Sequence, residues 1–380
     1  MTSAVDTHGL ATTYQYDGQN RLVQVNAIDG GITILTYDGT TGLLDTIAEP
    51  GGRVLMLTHD ASGNLTQIKD VDGTTRTFGY QTPSNHLITL DQWAPLYTGF
   101  GYQNGLLSQV SLGFTSTYNI TSAAAAGLGT MELMRGTGAA WAFVSDGDGH
   151  TTKYLLDGRG RLLQMVEGDG TSTTTYQRNA AGLVTQTVDA MGYPTFDSYN
   201  SSGDLLQETQ ADGSWTQYAY DPTFHNVTGT LNILGETTSN TYDPIAGDLL
   251  TSMDATGAVT SYAYYQTNGK SNGLVYQVTT PAEFGTATTT NVYDAARRLI
   301  TSFDAGDVPT YYTYDINGNP FATTDVYGHA TKTVYDAKNQ LVQSIDATGG
   351  ATSDTYNPDG EQASETNARG FTSTTSYDAR

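Results

Sequence analysis

The chain contains no cysteine. That excludes a disulfide framework and any thiolate metal site. Cationic side chains are scarce as well. There are 16 Lys and Arg against 39 Asp and Glu, which gives a formal net charge of −23. Such a field repels phosphate backbones and anionic bilayers, so nucleic acid and membrane surfaces are poor partners. Cationic cargo, calcium and neutral glycans are all compatible with it. Long apolar runs are missing, and no window approaches the roughly 18 apolar residues of a membrane helix. The amino terminus, MTSAVDTHGL, has neither the basic nor the apolar region of a signal peptide.

What is plentiful is turn and strand chemistry. The 380 residues include 43 Gly and 26 Tyr, whereas charged residues make up only 14%. A hydrophobic content of 37% is low for a helical core. It suits strands that alternate apolar and polar residues between frequent turns.

A Tyr-Asp phrase recurs along the chain at Tyr16-Asp17, Tyr37-Asp38, Tyr242-Asp243, Tyr293-Asp294, Tyr314-Asp315, Tyr335-Asp336 and Tyr377-Asp378. His59, Tyr80, Tyr102, Leu156, Tyr176, Tyr199, Tyr220, Tyr264 and Tyr356 fill the same slot elsewhere. The spacing is 21 or 22 residues at first and 21 in each of the last four steps. A period of that length is neither a heptad nor a helix-pair repeat. Each unit begins with an aliphatic run, as in Leu341–Ile345, and reaches an Asp-x-x-Gly turn such as Asp254–Gly257, Asp325–Gly328 or Asp346–Gly349. A Thr-rich run follows, ends in Tyr-x-Tyr-Asp, and leads to a second turn. Asp and Asn start turns by bonding their own backbone, and Gly supplies positive φ. The plan is strand, turn, strand, turn. Two-residue alternation predicts that Leu341 and Ile345 share one face and that Tyr14 and Tyr16 share one face.

Regular repeats are expected over 1–102 and 156–380, with degenerate repeats and an insertion over 103–155. That insertion holds the alanine run Ser122–Trp141. A smaller one, QTNGKSNG at Gln266–Gly273, has two turn signals in succession. The chain is read as one array, 1–380, of roughly seventeen units. It starts on MTSAVD, which aligns with LITSFD at Leu299–Asp304, and finishes on Tyr377-Asp378-Ala379-Arg380, where a turn is due. Neither end carries a cap, and open edges invite pairing. The expectation is an excised length of a longer array, or a subunit whose ends meet head to tail.

The Tyr-Asp phrase, the Asp-x-x-Gly turn and the period near 21 resemble the YD repeats of Rhs proteins, Tc-toxin C components, bacterial wall-associated proteins and teneurins. The resemblance covers nearly the whole chain, more weakly over Gln103–Leu155. It implies a β-sheet spiralling into a hollow shell that, in the toxin members, encloses an effector and ends in an aspartyl autoprotease core. A PxxxxDPxGL-like core motif is missing here. Asp221-Pro222 and Asp243-Pro244 sit in ordinary repeat turns. The resemblance therefore carries over a scaffold rather than release chemistry.

Sharper sites compete with this reading. His8, His150 and His329 lie beside Asp-x-x-Gly turns, His59 replaces a repeat tyrosine, and His86 and His225 complete the six. The one Gly-x-Ser-x-Gly string, Gly269–Gly273, lies in an insertion between turn signals of an all-β array and is no strand-to-helix elbow, and there is no His-Glu-x-x-His. Gly269-Lys270-Ser271 lacks the upstream Gly of a phosphate loop, since position 264 is Tyr264. Asp146 and Asp148 in Asp146-Gly-Asp-Gly-His150 are the calcium candidate, although the distal Glu of an EF-hand is missing. Asn64, Asn119, Asn200 and Asn226 open Asn-x-Ser/Thr triplets. The recurring Asp residues supply carboxylates for glycoside hydrolysis, but a site is a local exception and these follow the repeat.

The sequence thus predicts an all-β fold: a YD-repeat antiparallel sheet coiled into a spiral shell or solenoid, with about 21 residues per hairpin. The expected function is a non-enzymatic scaffold without cofactor, part of a secreted or cell-surface bacterial shell that encloses or displays cargo. The alternatives are a head-to-tail extracellular fibre or adhesin with carbohydrate binding, and a glycan-active enzyme. Expected partners are further repeats of a longer chain, copies of itself, an enclosed polypeptide or glycans.

Overall fold

A computed structural model describes residues 2–82, 88–93, 96–103, 106–112, 116–121, 140–357 and 360–377. The alanine-rich stretch 122–139, His86 and Asp378 lie outside the described residues. Those described form one antiparallel sheet of 34 strands that does not close into a barrel, and they contain no helix. No helix is therefore long and apolar enough to cross a membrane among the described residues. The first strands are β1 (Ser3–Val5), β2 (Ala11–Tyr16), β3 (Leu22–Asn26), β4 (Ile32–Tyr37) and β5 (Leu44–Ala48), each paired with its sequence neighbour. Strands of six and five residues then alternate along most of the chain.

Both turns of a repeat are the same device. After β2, the Asp17 N–H donates to Arg21 C=O and the Asn20 N–H to Asp17 C=O, each at 3.0 Å. Asn20 has φ 62°, so the loop is a type I turn followed by one left-handed residue. The Asp254 turn repeats these bonds, with Gly257 at φ 87° in the left-handed place. In each case the Asp Oδ1 also accepts the N–H groups two and four residues on. Short carboxylates fit that geometry and longer ones do not.

The Tyr-Asp turn adds a bulge on the returning strand. Tyr16 faces Leu22 while Gln15 faces Gln24, so Val23 is the extra residue. The same shift recurs at Tyr37, Tyr199, Tyr293, Tyr314, Tyr335 and Tyr356. This corrects the simple alternation for Leu341 and Ile345. Leu341 pairs with Tyr335 and Ile345 with Lys332, and those partners are three apart on a regular strand, so the two aliphatics point to opposite faces. The apolar spacing on the tyrosine face becomes three, as at Leu44 and Ile47 opposite Tyr37 and Leu35.

That face is half-buried, whereas the other carries exposed side chains such as Ile34, Met56, Phe196 and Tyr311. Ala246 is the one buried apolar residue among those described, and no large side chain is fully buried. Stability is spread over the ladder rather than held in a central core.

The Gln266–Gly273 insertion lengthens one hairpin, Val259–Thr267 with Lys270–Ala282. Its first turn signal forms a two-residue turn with both φ positive, Asn268 at 52° and Gly269 at 75°. The second forms no turn. Asn272–Leu274 bulge out of register opposite Tyr265, and Ser271 is buried. By compactness the chain divides into two units, one combining residues 2–82 with 241–377 and the other built mainly from 96–240.

Candidate functional site

The repeated joint is built from tyrosine, aspartate and the leucine that follows. The Tyr37 hydroxyl donates to the Leu22 carbonyl at 2.8 Å, one repeat back. Tyr80, Tyr264, Tyr314 and Tyr356 reach Leu65, Leu249, Leu299 and Leu341 in the same way at 2.7–2.8 Å. Tyr293 reaches Val275, and Tyr377 reaches Gln362. The bulge turns that carbonyl out of the ladder, and the phenol satisfies it. Burial pushes the Tyr264 hydroxyl up to about 12. Tyr16 is exposed, Tyr242 lies half-buried at the end of Thr237–Tyr242, and Tyr335 faces Leu341.

The aspartates each hold their own turn. Asp38, Asp243, Asp294, Asp315 and Asp336 accept backbone N–H bonds from residues two to four positions on. The backbone N–H of Arg21 holds the Asp17 carboxyl below the usual carboxylate range, and the Arg21 side chain adds to it. Arg21 Nε bonds Asp17 Oδ2 at 2.7 Å, and its guanidinium lies 4.3 Å over the Tyr37 ring. Arg298 links Asp294 to the Tyr314 ring in the same manner, at 4.7 Å. One repeat is thereby tied to the next.

A second arrangement joins turns far apart in the sequence. In the first unit, turns from residues 6–72 lie against turns from 248–338. His8 Nε2 meets Asp248 Oδ1 at 3.0 Å, and the buried Ser271 hydroxyl donates to the other oxygen of the same carboxylate. Lys338 Nζ pairs with Asp72 Oδ2 at 2.8 Å. Gly51 packs on Asn317 so closely that a Cβ there would stand 2.9 Å from the Asn317 Cα. Gly51 and Asn317 are 266 residues apart, as are Asp72 and Lys338. A cleft of about 450 Å³ lies along this seam, lined by Asp29, Glu49, Pro50, Arg298 and Ile316 among others.

His8, Asp248 and Ser271 have the residue types of a hydrolase triad but the wiring of a clasp. A nucleophile must pass its proton to a base. Here Ser271 gives its proton to Asp248 and accepts the Gly273 N–H, while His8 binds the opposite side of that carboxylate. The hydrogen bond to Asp248 raises the His8 pKa, against the burial that opposes it.

The other sequence candidates resolve into turn chemistry. Asp146 Oδ1 accepts the N–H groups of Asp148 and His150, and His150 Nδ1 lies 3.3 Å from its second oxygen. No group of three or more His, Asp or Glu is placed to hold a metal among the described residues. His225 contacts Asp204, and His329 contacts Asp325. Asn64 is buried and donates to Asp60, and Asn200 donates to Asp204. The Asn226 N–H donates to Asp221, and Asn119 accepts from the Gln109 amide. Among the described residues two carboxylate pairs break the pattern: Asp197 faces Glu208, and Asp354 faces Glu365, across the strands. Desolvation, with the Glu208 charge added, raises the Asp197 pKa. The tyrosine bond was within reach of the sequence, because a Leu stands 15 residues before Tyr37, Tyr80, Tyr264, Tyr314 and Tyr356. The seam had no local signal.

These features coincide with known proteins. The family model described as teneurin YD-shell matches residues 4–256. No curated protein matches the chain. Among solved structures, the TcdB2-TccC3-TEV complex aligns with a TM-score of 0.56 at 13% identity, over 95% of this chain and 25% of that one. TcdB2-TccC3-Cdc42 gives 0.54 at 14% identity, over 95% and 20%. A Tc holotoxin pore of Photorhabdus luminescens gives 0.53 at 14%, over 96% and 21%. At these identities the likeness is one of fold, and this chain spans about a fifth to a quarter of the length of those it matches. With its repeats, bulged tyrosine joints and family match together, the chain belongs to the teneurin YD-shell family.

Proposed function

We propose that this chain is a length of shell wall in a secreted or cell-surface protein, non-enzymatic itself, that encloses or displays a polypeptide cargo. One observation carries the reading: in the first unit, turns from residues 6–72 are clasped against turns from 248–338, a contact that a coiled wall requires. The uses of the side chains agree with it. Asp, Tyr and Arg are committed to turns, to carbonyls and to the next repeat, and the Ser–Asp–His grouping is wired as a clasp. The solved relatives named TcdB2-TccC3-Cdc42 and TcdB2-TccC3-TEV are consistent with a wall that carries different passengers.

Negative-stain electron microscopy at high dilution tests this reading. Single particles with an open interior are expected, and solid rods or unwound ribbons would sink it. The non-enzymatic part has its own check. Steady loss of viscosity from any polysaccharide incubated with the protein would overturn it in favour of a glycan-active enzyme.

A further inference from the structure

The seam in the first unit follows a rule. The third residue of an Asp-x-x-Gly-type turn meets the third residue of a Tyr-Asp turn: Gly51 on Asn317, and Asp72 on Lys338. Asp29 and Ala296, also third residues, line one cleft. Both kinds of turn recur once per two strands, roughly every 9.6 Å. A row of one kind therefore matches a row of the other in pitch, wherever it comes from.

The same unit contains one further row of each kind, exposed. The turns at Asp304, Asp325, Asp346 and Asn367 present their tips to solvent, with Tyr327 at 83% exposure. Opposite in kind are the Tyr-Asp turns at Asp17, Asp38 and Asp60, whose third residues Gln19, Thr40 and Ser62 are exposed.

We propose that these rows are the two halves of an interface between copies: the Asp304–Gly349 turns of one molecule seat on the Asp17–Gly63 turns of a second. The occupied seam sets the register. Gly51 is bare where the Asn317 amide lies against it, and Gly306 with Gln19 reproduces that glycine–amide pair. Tyr327 then meets Thr40, and Thr348 meets Ser62. The contact is heterologous, so every added copy leaves both rows open and the assembly grows without closing. The net charge of −23 opposes it, and salt screens that repulsion. This inference stands apart from the shell reading and needs no cargo.

Because the chain lacks cysteine, single-cysteine variants are clean probes. Ser62→Cys mixed with Thr348→Cys under mild oxidation is expected to form a dimer severalfold faster than Ser62→Cys mixed with Phe284→Cys. Phe284, 93% exposed, tips the hairpin that precedes the Asp304 turn on the same edge, three turns out of register with Ser62. Sedimentation velocity of the unmodified protein should show species that grow with concentration and with salt. Tyr327→Asp and Thr40→Asp, on opposite rows, should each abolish that growth. Equal crosslinking to Phe284→Cys, or a monomer at every concentration and salt, overturns the proposal. So does growth that survives both charge variants. If the row is instead taken by a further coil of a longer chain, the 380-residue protein stays monomeric and the proposal fails.

Discussion

The turns at Asp60 and Asp315 are chemically the same turn. In each, Oδ1 accepts the N–H groups two and four residues on, and Oδ2 accepts the amide of an Asn at the fourth position. Yet Ser62 points to solvent while Asn317, its equivalent, lies against Gly51 and donates to Asn339. The local chemistry that makes a repeat is thus indifferent to what covers it. Contact at the seam depends instead on which side chains stand at the turn tips, as with Gly51, His8, Asp72 and Lys338, and on Ser271. A family built this way can change its coil contacts without altering its hairpins.

Two glycines separate these layers. Gly63 has φ 84°, and a Cβ added there would meet only Leu43 methyl carbons within 4 Å. Gly63→Ala should therefore cost about 1–2 kcal/mol, for the left-handed backbone alone. Gly51→Ala carries the same cost at φ 87° and also drives a methyl into the Asn317 backbone. Overpacking adds roughly 1–3 kcal/mol. Urea midpoints should fall further for Gly51→Ala, with faster amide exchange around Asp29–Arg53. Equal losses in the two variants would mean that the seam does not form in solution.

Within the repeat, the tyrosine bond has its own control. Tyr314→Phe removes the 2.7 Å bond to the Leu299 carbonyl and leaves that carbonyl unpaired, a loss of about 1 kcal/mol. Tyr311 lies on the exposed face of the same strand, so Tyr311→Phe should stay within roughly 0.5 kcal/mol of the parent. Thermal unfolding of the pair measures both. If Tyr311→Phe costs as much as Tyr314→Phe, the hydroxyl bond contributes little.

Much of this was legible in advance because it is local. Strand positions, both turns and the 21-residue step follow from Asp, Gly and Tyr at fixed offsets, as Tyr16-Asp17 and Asp254–Gly257 illustrate. The bulge was not legible, because an inserted Val23 or Val342 looks like any strand residue, and it moved Ile345 to the other face. The seam was less legible still. A contact at a separation of 266 residues depends on how the twist of many hairpins accumulates, and no motif records that sum. His8 looked like one more turn residue until Asp248 was beside it.

Of the two cross-strand carboxylate pairs, Asp354–Glu365 has an amide donor in Gln362, and Asp197–Glu208 is the one left to improve. Two carboxylates face each other on the tyrosine face, and one oxygen of Asp197 is buried without a hydrogen-bond partner. Like charges directly opposite destabilise a sheet, by roughly 0.2–1 kcal/mol. Asp197→Asn should raise the melting temperature at neutral pH and lose that advantage in acid, where the raised pKa already neutralises the parent. A variant no more stable than the parent at neutral pH would show that the pair is relaxed by other means.

The smallest expected effect tests whether the clasp at His8 belongs to the seam. Hydrogen bonding to Asp248 raises the folded pKa of His8 above its ordinary value near 6.5. The imidazolium is therefore favoured in the folded state. Its contribution is complete below the unfolded pKa and is lost as pH rises through the folded one. For this pair, with side chains 21% and 14% exposed, this amounts to roughly 0.5 kcal/mol. His8→Gln should keep the hydrogen bond to Asp248 but lose the charge, so its stability deficit should be present at mildly acidic pH and vanish in mild alkali. Amide exchange at Leu10 and Leu249 reads the effect locally. A deficit that is constant across that range would assign His8 to its own turn, through Asp6, and leave Asp72–Lys338 and Gly51–Asn317 to hold the coils together.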